Sequence, residues 1–88
     1  MATVEITAEA QRQFFDLPVA IQARIEKIFV RLEHWPAVSG VRALSGNLAG
    51  HYRIRTGDYR VQFRVARGGA IEVVIVEKVG HRDGFYED

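Results

Sequence analysis

The sequence contains no cysteine, one methionine, one tryptophan and only two prolines, Pro18 and Pro36. Without cysteine there is neither a disulfide nor a thiolate metal site, so an apolar core must supply the stability, and the composition fits a reducing compartment. No apolar run approaches the roughly 18 residues that a membrane span requires, and the opening MATVEITAEAQ lacks a basic region followed by an apolar stretch. The expectation is a soluble, cytoplasmic protein with no membrane partner. Internal repeats, low-complexity tracts, a P-loop, a dinucleotide glycine fingerprint and an HExxH motif are also absent. Three widely spaced histidines, His34, His51 and His81, make no metal site, and no cofactor is expected. Ser45, His81 and Asp83 can be written as a triad, but no nucleophile-elbow motif supports it.

What is present is one domain, residues 1–88, since a chain of 88 residues has material for a single core. Its 48% hydrophobic and 26% charged residues are the balance of an ordinary globular fold. The formal net charge of +1 hides an uneven distribution. Between Arg42 and Arg67 six arginines face one acid, Asp58, giving +5, whereas the rest of the chain carries −4. Such a segment can steer an anionic partner although the total is near zero.

Residues 3–7 alternate and are β-branched, which predicts a short strand. Thr7 offers an N-cap for a helix over Ala8 to Leu17, with Ala10, Phe14 and Leu17 at helical spacing. Pro18 suits the first turn of a second helix, whose Ile21, Ile25, Ile28, Phe29 and Leu32 give the strongest periodic signal; Trp35-Pro36 ends it. His34, at that end, reads as a surface or capping residue. A glycine-punctuated loop follows, and the period then changes to 2. Tyr52 and Ile54, then Tyr59, Val61, Phe63 and Val65, alternate with polar residues around Thr-Gly-Asp, which predicts a β-hairpin. After Gly68-Gly69, Ile71 to Val79 is apolar on both faces, as in a central strand. The expected order is β-α-α-β-β-β, an α+β architecture.

If both apolar rows of the hairpin face the helices, the pleat gathers Arg53, Arg55, Arg60, Gln62 and Arg64 on the other face. An exposed sheet face must be polar, and arginine is one way to make it so. This run, however, lacks the alternating acids of a merely solvated face, and the arginine fork grips phosphate bidentately and stacks on bases. Phosphate or nucleic-acid binding is therefore the favoured reading. His81, beside Arg82 and Asp83 and five residues before Tyr86, is the first candidate for proton transfer.

The string LSGNLAGHYRIRTGDYRVQFRV, followed by a β-branched strand and VGHRDGFY, resembles the RelE/ParE superfamily of bacterial toxin–antitoxin toxins. In that superfamily a Leu-x-Gly loop leads into R-x-R, G-D-Y-R-V and a last strand ending in G-H-R. The resemblance spans nearly the whole chain. It implies two N-terminal helices packed on one face of a twisted, mainly antiparallel four-stranded sheet with a short C-terminal tail. It also implies, for the RelE branch, a ribosome-dependent endoribonuclease that cuts messenger RNA by metal-free attack of the 2′-hydroxyl on the adjacent phosphate. The implied partners are the ribosome, messenger RNA and a cognate antitoxin covering the arginine face or displacing the tail. By position, Arg53 and Arg55 would hold the RNA backbone with Arg64 beside them; Arg60 and Arg82 would stabilise the scissile phosphate, and Tyr86 would stack on a base or assist proton transfer.

One departure stands out. The best-known RelE pattern has lysines where this chain has Arg53 and Arg55, and arginine binds but cannot take a proton. The resemblance then points to His81 as base, oriented by Asp83. Two alternatives stay open: a ParE-type, non-catalytic poison of DNA gyrase, which usually lacks the set Arg60, Arg82 and Tyr86, and a degenerate, inactive RNA-binding member.

Overall fold

The computed structural model describes residues 2–85. Strand β1 (Thr3–Ile6) leads into helix α1 (Ala8–Phe15), and the Thr7 hydroxyl oxygen accepts from the Ala10 N–H at 3.1 Å, as its capping chemistry requires. The helix stops at Phe15, two residues short of the expected Leu17. Pro18 sits at the N-cap of helix α2 (Val19–Leu32), one place earlier than the first turn, where its φ of −55° and missing N–H cost nothing. Ile25, Ile28 and Leu32 are buried along one side of α2, and Ile21 and Phe29 pack partly buried beside them.

The remaining strands among the described residues are β2 (Arg42–Ala43), β3 (His51–Thr56), β4 (Tyr59–Gly68) and β5 (Ile71–His81), with a 3-10 turn at Gly46–Leu48. They form one sheet in the order β1-β5-β4-β3-β2. The sheet has five strands rather than the expected four. The additional one is Arg42–Ala43, which pairs antiparallel with Arg53 and Tyr52; two residues are too few to show an alternating pattern. β1 runs parallel to β5 and all other neighbours are antiparallel. The two helices lie on one face, as expected, and no helix among the described residues is long and apolar enough to cross a membrane.

Between that face and the helices lie Ile54, Val61, Phe63, Val74, Val76 and Val79, packed with Ala10, Phe14, Ile25, Ile28 and Leu32. Trp35, just beyond α2, closes one end: its ring meets Phe63 edge-on at 5.5 Å, and Tyr52 stacks on Phe63 at 5.5 Å. The pairing of β4 with β5 shifts by one residue, so that Gln62 opposes Lys78 while Phe63 opposes Val76. This bulge at Glu77 keeps Val79 on the core side after Val74 and Val76; a strict period of 2 would turn Val79 outward. β1 covers β5 only as far as Val76, and the side-chain oxygen of Gln13 on α1 accepts the Val79 N–H beyond it at 2.8 Å.

Phe63 is fully buried at the meeting point of helix, sheet and aromatic cluster. Phe63→Ala is expected to lower the unfolding free energy by about 3–5 kcal/mol, read as a drop in the urea midpoint with an unchanged m-value.

Candidate functional site

The site begins at the turn between β3 and β4. Gly57 has a φ of 59° while Asp58 does not have a positive φ, the pattern of a type II′ hairpin turn with glycine first. Arg24 of α2 reaches across to this turn, donating from Nε and Nη2 to the Thr56 hydroxyl at 3.2 and 3.1 Å. A β-carbon on residue 57 would lie 2.5 Å from Arg24 Nη2, so glycine serves both the backbone angle and the close approach.

The turn fixes which residues stand opposite each other: Arg55 with Arg60, Arg53 with Gln62, and His51 with Arg64. Directly opposed side chains share a face, and these pairs lie on the face turned away from the helices. Arg53, Arg55, Arg60 and Arg64 are thus brought together as the alternation predicted. Arg55 and Arg60 are like charges in direct opposition, and so are Arg42 and Arg53 across the next strand boundary. Such pairs repel unless a counter-charge lies between them. Among the described residues Arg53, Arg55 and Arg60 have no acidic partner; Arg53 Nε is buried and makes no hydrogen bond, and Arg60 has only 3.4 Å contacts to the carbonyls of Gly57 and Tyr59. Asp58, the one acid of the segment, instead lies 3.8 Å from Arg82 Nε.

Two features of this face were not legible in the sequence. The bulge presents both Glu77 and Lys78 to it, and Glu77 takes His51 Nδ1 at 2.6 Å on one carboxylate oxygen and Arg64 Nε at 3.4 Å on the other. The segment ending at Phe85 also folds onto it. Phe85 is only 3% exposed; its ring lies 3.5 Å from where a β-carbon of Gly80 would be, and Lys78 Nζ stands 4.7 Å from the ring centroid. Gly80 opposes Arg60, so Phe85 lies beside the arginines. A glycine inside an apolar strand, followed by an aromatic residue five positions later, was the available signal.

The tail residues are distributed differently from the expectation that they would complete the arginine face together. His81 opposes Tyr59, and the two rings meet edge-on at 5.2 Å. Tyr59 packs against the core, so His81 emerges on the helix side of the sheet, away from the arginine rows. Its Nδ1 accepts the Asp83 N–H at 3.1 Å and lies 3.4 Å from the Asp83 carboxylate. Arg82 is anchored by its N–H to the Asp58 carbonyl at 2.6 Å, with its exposed guanidinium between Asp58 and Asp83. Tyr86 lies outside the described residues.

Residues 4–84 match the family model described as the ParE toxin of the type II toxin-antitoxin system, parDE. The chain belongs to that family. It is similar in structure to a chain of the toxin–antitoxin complex RelBE2 from Mycobacterium tuberculosis, with 29% identity, a TM-score of 0.78, and 92% of this chain and 98% of that one covered. It is similar also to a chain of the archaeal RelE–RelB complex from Pyrococcus horikoshii, with 29% identity, a TM-score of 0.73 and coverages of 92% and 94%. The YoeB/ParE toxin from Agrobacterium tumefaciens shares the fold at 19% identity, with a TM-score of 0.75 and coverages of 90% and 96%. No curated protein sequence matches the chain significantly.

Phe85 holds the tail by burying one aromatic ring, while the strands beneath it are held by the whole core. In Phe85→Ala, hydrogen exchange at the Arg82 and Phe85 amides is expected to accelerate at least tenfold. The Val61 amide should exchange as in the parent, because only the local opening is made easier.

Proposed function

We propose that this ParE-family toxin is a RelE-type endoribonuclease that cuts messenger RNA on the ribosome and is held silent by a cognate antitoxin. The observation that carries the reading is the row of arginines on one sheet face, three of them without an acidic partner among the described residues. Unneutralised guanidiniums suit a phosphate chain: each can donate two parallel N–H bonds to phosphate oxygens, and one anion between Arg55 and Arg60 relieves their mutual repulsion.

In this reading Arg53, Arg55 and Arg64 hold the RNA backbone. Arg60 and Arg82 stabilise the charge that develops on phosphorus while the ribose 2′-oxygen attacks and the 5′-oxygen leaves, and Tyr86 stacks on a base. No arginine can accept the 2′-hydroxyl proton, and His81 opposes Tyr59 on the helix side of the sheet, which supports seeking the acceptor among the groups of the arginine face. Two of the similar structures, from M. tuberculosis and P. horikoshii, are toxin–antitoxin complexes, which supports an antitoxin as the silencing partner.

The match to the ParE model favours a second reading, a gyrase poison without nuclease activity. Induced expression followed by mapping of messenger RNA 5′ ends, with gyrase supercoiling assayed in parallel, separates the two. Codon-phased cuts with normal supercoiling are expected; intact messages with gyrase-linked DNA breaks would replace the first reading by the second. For binding to single-stranded RNA, Arg55→Ala and Arg60→Ala should each reduce the slope of log affinity against log salt by about 0.7. Arg60→Ala should also slow cleavage about 100-fold.

A further inference from the structure

We infer that His51, oriented by Glu77, is the group that takes the 2′-hydroxyl proton; this rests on the endoribonuclease reading and deepens it. The arginine face needs a proton acceptor, and His51 is the one histidine that the β3–β4 register places there: it opposes Arg64, whereas His81 opposes Tyr59 on the helix side. His34 follows α2 and is not part of the sheet.

The ring is held as a proton acceptor should be. His51 Nδ1 lies 2.6 Å from Glu77 Oε1, and the two side chains are 26% and 24% exposed. A bond this short to a carboxylate assigns the Nδ1 proton to it, which leaves the lone pair of the neutral ring on Nε2. The second carboxylate oxygen is 3.4 Å from Arg64 Nε, so Glu77 is itself fixed from a third strand position. A histidine oriented through Nδ1 by a carboxylate is the arrangement of Ser-His-Asp sites, where the other ring nitrogen works as the general base. The bulge produces this arrangement: by adding a residue opposite Gln62 and Phe63, it lets Glu77 reach His51 without displacing Val76 or Val79 from the core.

A place for phosphate adjoins the ring. Arg53 is two residues along β3 on the same face, about 7 Å by strand geometry, and its guanidinium has no acidic partner among the described residues. An RNA phosphate held by Arg53 brings the neighbouring ribose to His51. His51 Nε2 then removes the 2′-hydroxyl proton as the 2′-oxygen bonds to phosphorus. The bond from phosphorus to the 5′-oxygen breaks, and that oxygen takes a proton from solvent water. The products are a 2′,3′-cyclic phosphate and a 5′-hydroxyl end, and the imidazolium beside Glu77 returns its proton to solvent.

The test is single-turnover cleavage of messenger RNA on programmed ribosomes at saturating toxin, with ribosome affinity and urea unfolding measured on the same preparations. His51→Asn keeps a side-chain N–H for Glu77 and removes Nε2. It is expected to bind ribosomes as the parent does and to cleave at least 100-fold more slowly. His51→Gly should be equally slow and regain at least tenfold in rate with added imidazole. Glu77→Gln, which alters the positioning residue, should slow cleavage about tenfold at unchanged ribosome affinity and gain nothing from imidazole. If the parent cleaves and folded His51→Asn stays within twofold of it, or if imidazole leaves folded His51→Gly unrescued, this inference is overturned and the endoribonuclease reading stands. A parent chain that cuts no RNA on the ribosome overturns both.

Discussion

The pairing of β3 with β4 is the constraint on which the rest depends. Each residue pair in that ladder commits one side chain to the core or to the open face, and a slip of one residue would exchange the two sets. Slipped, the hairpin would drive Arg53, Arg55, Arg60 and Arg64 against α2 and leave Ile54, Val61 and Phe63 in water. Burying unpaired guanidiniums costs far more than the apolar contacts return, so the register is strongly specified. Gly57 and Arg24 reinforce it from the turn, where glycine supplies the positive φ and leaves room for the helix arginine beside Thr56.

The same register explains how a molecule of nearly neutral total charge presents a cationic surface. Like charges stand opposite one another at Arg55–Arg60 and Arg42–Arg53, an arrangement that weakens the sheet in isolation. Among the described residues the nearby acids leave these two pairs unneutralised: Asp58 approaches Arg82 beyond the turn, and Glu77, on the face itself, is shared by His51 and Arg64. The stabilisation that these pairs forgo is available to an anionic ligand. Family membership identifies the protein as a toxin, and the open arginine face supplies the physical reason for reading it as one that engages RNA.

The bulge at Glu77 and the contact of Phe85 with Gly80 join β5 to this surface. One extra residue lets a strand with Val74, Val76 and Val79 in the core still present Glu77 and Lys78 together on the opposite face. Lys78 then stands against the Phe85 ring, and the missing β-carbon of Gly80 makes room for that ring beside Arg60. The segment ending at Phe85 is thereby led back to the arginines without any further strand or helix among the described residues.

Local chemistry determined much of this in advance. Thr7 capped its helix, the 3.6-residue period of Ile25, Ile28 and Leu32 chose the buried side of α2, and the alternation around Thr-Gly-Asp fixed the arginine face, because each signal acts over a few neighbouring residues. The fifth strand, the bulge, the burial of Phe85 and the facing of His81 were decided only in three dimensions. Each depends on which residue of a distant strand stands opposite, and a two-residue strand or a one-residue register shift leaves no periodic trace in the sequence. The amino acids therefore determined that a row of arginines would share one face. The same alternation set His51 in that row, and long-range pairing decided that Glu77 would reach it while His81 turned to the helix side.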